Sequence, residues 1–125
     1  MKQLVEAFLE DLSTKEIFLF RIACAGCGTD YASRPIWFSR AGVVPQTRSK
    51  EIIYAAVYEQ EYRAARQNAV RDVAEQLNHC PICKRLICNR CFLVCDDLDM
   101  CRECAASLEV TGSPVFPEIV EAAAY

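Results

Sequence analysis

The chain has 125 residues, nine of them cysteine, with about half of its residues hydrophobic and a formal charge of −3. That length suggests one domain with a modest core, and the acidic balance weighs against broad electrostatic binding to nucleic acid, which needs a basic face. Glu6, Glu10 and Asp11 interrupt the N-terminus, so no signal-peptide apolar core is present, and no apolar run reaches membrane-spanning length.

Residues 1–12 read as a short N-terminal helix, with Leu4, Val5, Phe8, Leu9 and Leu12 at helical spacing. Ser13 and Glu16 match a capping box, but Ile17 to Ala23 is rich in β-formers and reads as a strand leading into Cys24. Cys24-Ala-Gly-Cys27-Gly28 then looks like a zinc knuckle, whose glycines permit a tight turn. Residues 13–49 therefore read as a β-hairpin carrying the first knuckle, with Ile36-Trp37-Phe38 and Val43-Val44 as further strand-like stretches closed by Pro45. Residues 50–78 contain no Gly or Pro, and Tyr54, Tyr58, Tyr62, Ala65, Ala69, Val73 and Leu77 form one helical stripe. Ser49 stands where an N-cap would, and the stripe is expected to pack into the core. Residues 79–111 are the cysteine-rich segment. A last helix is expected from Met100 to Glu109, stopped by Gly112. Residues 112–125 form a tail, extended at Pro114 and Pro117, in which 118–125 read either as a short helix or as a frayed end.

Four C-x-x-C pairs dominate the chemistry: Cys24/Cys27, Cys80/Cys83, Cys88/Cys91 and Cys101/Cys104. Zinc takes four ligands in a tetrahedron, and one such pair supplies two thiolates from a single turn. A lone pair is weak evidence, since it also serves redox chemistry. Four pairs complete two closed sites, so two zinc ions are expected and no open position is left for water. An odd cysteine count fits a disulfide framework poorly, and the chain reads as reduced and cytoplasmic. Cys95 is left over as an expected non-ligand. Spacing leaves the pairing open. The two central pairs sharing one ion would leave a very tight connector, while 24/27 could join either 80/83 or 88/91.

The run His79-Cys80-Pro-Ile-Cys83-Lys-Arg-Leu-Ile-Cys88-Asn-Arg-Cys91-Phe92, followed by Cys101-Arg-Glu-Cys104, resembles the FYVE/RING-type cross-brace zinc domains, with a spacing closest to FYVE. The resemblance implies a small α+β treble-clef fold. It also implies that Cys24, Cys27, Cys88 and Cys91 share one zinc while Cys80, Cys83, Cys101 and Cys104 share the other. Two departures stand out. Fifty-two residues separate Cys27 from Cys80, so the long helix is an insertion, and Gln76-Leu77-Asn78-His79 replaces the basic lipid-gripping run of FYVE domains. A RING domain normally uses a histidine ligand, which this complete cysteine set does not need.

No Gly-rich phosphate loop, serine elbow or open metal position is visible, so the chain reads as a non-enzyme. The leading expectation is a zinc-stabilised adaptor that binds a protein partner or a second copy of itself. A FYVE-like membrane-surface or nucleic-acid-binding module comes second, and a RING-like ubiquitin-ligase scaffold third. Lys84, Arg85, Arg90 and Arg102 lie between ligands and are expected to offset thiolate charge. The stretch from Gly28 to Lys50 is basic in an acidic chain, with Arg34, Arg40, Arg48 and Lys50 against Asp30 alone. Arg34, Trp37, Arg40, Arg48 and Lys50 are the candidate partner-binding residues, because arginine and aromatic side chains dominate protein-binding hot spots.

Overall fold

Aromatic residues decide the structure of the long insertion. In the computed structural model, which describes residues 1–115, Phe18, Phe20 and Phe38 are buried together with Ala65 and Ala69. They come from β2 (Ile17–Phe18), β3 (Phe20–Ala23), the residue after β5 (Ile36–Trp37) and helix α2 (Arg48–Ala74). Tyr54, Tyr58 and Tyr62 present one face of α2 to them at helical spacing. Ring centroids lie 5.4 Å apart for Phe38 and Tyr54, 5.0 Å for Phe38 and Tyr58, and 5.2 Å for Phe18 and Tyr58. Most of these pairs meet edge to face, the arrangement the ring quadrupoles favour. The stripe read from the sequence is thus core. Phe18→Ala is expected to cost about 3–5 kcal/mol, as for other buried aromatics, and loss of α2 helicity in urea would measure it.

The chain gathers into two compact units. Among the described residues, the insert unit comprises residues 2–22 and 31–73, and the cysteine unit comprises residues 23–30 and 74–115, with Met1. An aromatic cluster organises the first, and the cysteine pairs crowd into the second.

In the insert unit the first helix, α1, is shorter than its apolar pattern predicts and spans Lys2–Phe8. Val5 is fully buried while Phe8 is exposed. Glu10–Asp11 leave the helix to form β1, antiparallel to β3 with Glu10 opposite Arg21. Ser13 caps no helix. Its hydroxyl accepts the Leu19 amide at 3.1 Å, and Leu12 N–H donates to Leu19 O at 2.8 Å. The expected strand 17–23 breaks at Leu19 into β2, paired with β5, and β3, which lies between β1 and β4 (Asp30–Ala32). Val43 and Val44 form no strand. Helix α2 starts two residues before the expected Lys50, and its cap is Thr47 rather than Ser49. Thr47 Oγ1 accepts the Lys50 amide at 3.1 Å, satisfying a donor that the first turn leaves free.

Helix α2 stops at Ala74, short of Leu77. Leu77–His79 form β6, antiparallel to β7 (Leu86–Cys88), with Leu77 opposite Cys88. In the same unit β8 (Phe92–Val94) lies between β9 (Met100–Cys101) and β10 (Ser113–Pro114). The last helix, α3, covers Arg102–Ser107 only. It ends in a left-handed cap at Glu109 (φ 57°), where Val110 N–H reaches Ala105 O and Glu109 N–H reaches Ala106 O, the paired bonds of a Schellman motif. Gly112 has another role than stopping the helix. A Cβ there would come within 2.6 Å of Val94 O, so the backbone approach requires glycine. The segment 118–125, read either as a short helix or as a frayed end, lies outside the described residues.

Candidate metal centres

Each knuckle is built by the same local backbone rules. In the first, Gly28 N–H donates to Cys24 O at 2.9 Å and Cys24 N–H to Thr29 O at 2.9 Å. In the second, Lys84 N–H donates to Cys80 O at 2.8 Å and Cys80 N–H to Arg85 O at 3.0 Å. The residue after each second cysteine is left-handed: Gly28 at φ 78° and Lys84 at φ 67°. A side chain is strained in that region, and glycine is not. Lys84 holds it nonetheless, with its carbonyl 3.1 Å from His79 Nε2. Gly28→Ala has open space around the new Cβ, so its expected cost of about 1–2 kcal/mol is backbone strain alone. Thermal unfolding of the cysteine unit checks it.

The other two pairs come from different structures. Cys88 ends β7, and Cys91 follows one turn later with its N–H on Cys88 O at 3.0 Å. Cys101 ends β9 and is also the N-cap of α3, its sulfur accepting the Cys104 amide at 3.4 Å.

Two groups of four sulfurs result. Cys24, Cys27, Cys88 and Cys91 form one and Cys80, Cys83, Cys101 and Cys104 the other, with the sulfurs of each group within 4.8 Å of one another. None of the nine cysteines is in a disulfide. Sulfurs stand 3.8 Å apart for Cys27 and Cys88, 3.9 Å for Cys80 and Cys104, and 3.8 Å for Cys83 and Cys101. A tetrahedron with zinc–sulfur arms of about 2.3 Å has edges of about 3.8 Å, so the spacing fits zinc. A disulfide would need about 2 Å. The first and third pairs in the chain therefore stand together, as do the second and fourth.

The surroundings favour thiolates. Cys24 Sγ accepts the amides of Gly26, Cys27 and Cys88 at 3.3, 3.4 and 3.2 Å, and Cys80 Sγ accepts that of Cys101 at 3.4 Å. The Thr29 hydroxyl, 3.2 Å from Cys27 Sγ, is the main reason the Cys27 thiol falls to about 6. Burial opposes ionisation of Cys80, but the amides of Cys83, Cys101 and Ile82 outweigh it and bring the thiol to about 6. Burial likewise opposes ionisation of Cys83, and Arg85 overcomes it. By contrast, burial and then its sulfur neighbours raise Cys91, and the same causes push Cys104 up to about 12. Four sulfurs this close cannot all ionise against mutual repulsion. A divalent cation among them removes that conflict, which is the chemical sense in which these donors fit zinc.

Arg85 is a residue whose role the spacing does not announce. Its Nε donates to Cys83 Sγ at 3.3 Å, its Nη1 donates to Ala25 O at 3.1 Å, and its Nη2 pairs with Glu103. One guanidinium thus ties the second knuckle to the first. Arg90 donates to Thr29 Oγ1 at 3.1 Å and Arg102 to Arg90 O at 2.8 Å. These arginines serve the frame of the sites, whereas Lys84 is exposed. Cys95 stands outside both groups, its amide donating to Asp99 Oδ1 at 3.0 Å. Thr29 and Glu103 are further contributors that no motif marks, because they meet the sulfurs or Arg85 only in the folded unit.

The structure places Arg34 apart from Arg48 and Lys50. Arg34 pairs with Asp72 near the C-terminal end of α2, at 3.3 Å. Arg48 and Lys50 lie at the other end of that helix, about 35 Å away at 1.5 Å per residue. Trp37 is 68% exposed, while Phe38 beside it is buried. Arg40 and Lys50 line one hollow, with Val43 and Ile53. No helix among the described residues is long and apolar enough to cross a membrane. No protein-family model matches the chain, and neither a curated protein nor a solved structure matches it.

Proposed function

We propose that the chain is a zinc-stabilised, non-catalytic adaptor of the cytoplasm that binds another protein. In this reading Cys24, Cys27, Cys88 and Cys91 hold one zinc and Cys80, Cys83, Cys101 and Cys104 the second, in the cross-brace of a FYVE/RING-type treble clef. The observation that carries it is the closure of both groups: each offers four sulfurs at tetrahedral spacing. A zinc so ligated has no position for water or substrate and serves the fold. The treble-clef reading is supported by the knuckle between β6 and β7 and by a last pair that opens α3. Reduced thiols fit a reducing compartment.

A protein partner is favoured over a phosphate-bearing one because Arg85, Arg90 and Arg102 are committed to the frame of the sites. Affinity capture of the native, zinc-loaded full chain tests the reading. A stoichiometric protein partner is expected. Capture of nucleic acid that salt releases, co-sedimentation with vesicles, or ubiquitin transfer in a reconstituted reaction would each replace the adaptor with another class.

A further inference from the structure

We propose that the hollow beside the Gly42–Pro45 strap of the insert unit docks an acidic segment of a partner protein. Aliphatic side chains of that segment would sit on Val43, Val44 and Ile53, and its carboxylates would meet Lys15, Arg40 and Lys50. The proposal rests on the adaptor reading and names the chemistry of the partner.

Two hollows meet along the strap. One, of about 650 Å³, lies between Lys15, Tyr54, Tyr58 and the strap. The other, of about 480 Å³, shares Val43, Val44, Pro45 and Tyr54 and is bounded by Arg40, Lys50 and Ile53. Volumes of this size take several large side chains. The lining is unusually apolar for an outer surface: Val43 is 52% exposed, Val44 71% and Ile53 51%. Scattered apolar residues need no explanation, but a contiguous patch of them does.

The strap is held in shape before any partner arrives. Ser39 N–H donates to Glu61 Oε1 at 2.9 Å, Val43 N–H donates to Arg40 O at 3.0 Å, Gly42 turns the chain at φ 83°, and the Gln46 amide donates to Val44 O at 3.2 Å. A preformed surface loses less freedom on binding.

Charge selects the occupant. Lys15, Arg40 and Lys50 are exposed, and none of the three forms an ion pair among the described residues. An acidic chain of net charge −3 thus places three exposed cations around its apolar hollow, one of which, Arg40, also feels the Glu61 carboxylate. Carboxylates flanking an aliphatic anchor complement both features, and such complementarity sets partner choice and on-rate. A bilayer fits less well, because the two hollows are concave.

The test uses the zinc-loaded full chain as bait for a displayed library of random peptides. Enriched peptides are expected to carry Asp or Glu around Leu, Ile or Phe. Titration calorimetry with a selected peptide should show affinity falling about tenfold or more in R40E/K50E and in V44D, and falling with added salt. Zinc content should be unchanged in both. Should a charge reversal disturb the fold, R40Q/K50Q supplies the same comparison without new acids. The proposal is overturned if enriched peptides lack acidic residues, or if their affinity ignores these variants. It is equally overturned if the variants abolish binding to phosphatidylserine vesicles, or self-association of the chain, rather than peptide binding. If a natural protein partner is captured and the variants leave that capture intact, the adaptor reading stands and the hollow is not its interface.

Discussion

Removing zinc is expected to unfold the cysteine unit. Two closed thiolate sites take the place of a large apolar core there, and structural zinc contributes about 10–16 kcal/mol of apparent binding free energy per site near neutral pH. That exceeds the net stability of an ordinary domain, about 5–15 kcal/mol, once both sites are lost. Elemental analysis of the native chain should give two zinc ions. Chelation should then abolish hydrogen-exchange protection in β7, whose three residues are all buried, and re-adding zinc should restore it. Retention of protection in fully metal-free protein would show that apolar packing alone holds this unit, and that the sulfur groups are not structural sites.

Replacing one thiolate should release one ion and leave the other. Cys24→Ser is expected to lose the ion shared with Cys27, Cys88 and Cys91, and Cys83→Ser the ion shared with Cys80, Cys101 and Cys104. Each substitution removes one of four thiolates and gives the surrounding hydrogen-bond donors a neutral hydroxyl in place of a charged acceptor. For Cys24 these are three amides. Cobalt substitution reads the outcome, since each four-sulfur site contributes its own absorption. Cys95→Ser is the control and should retain both ions, because Cys95 lies outside both groups. A Cys24→Ser/Cys83→Ser protein that still binds one ion in a four-sulfur site would contradict this pairing.

The sequence by itself determined what depends on near neighbours. The C-x-x-C pairs were legible because two residues between cysteines place two sulfurs in one turn, whatever the rest of the chain does. The α2 stripe from Tyr54 to Val73 was legible because helical period is a local property. The same period misled at Leu77, which continues the step of four from Val73. Only pairing with Cys88 on β7 turns it into a strand residue. Glu10 and Asp11 likewise suit the end of a helix until Arg21 and Phe20 offer a strand partner. Ser13 illustrates the same limit, since its hydroxyl accepts the Leu19 amide and not a helix terminus.

Spacing left open which pairs gather, a resemblance implied it, and the tertiary structure decided it. Every pairing of the four uses the same local turns, and choosing among them requires bringing residue 24 to residue 88 across the insertion. It also decided that Arg34 and Lys50, sixteen positions apart in the sequence, belong to opposite ends of α2. Arg34 is held there by Asp72, a partner 38 residues further along the chain. Charge composition records how many cations a segment carries. Where each one points is set by the partner the fold brings to it.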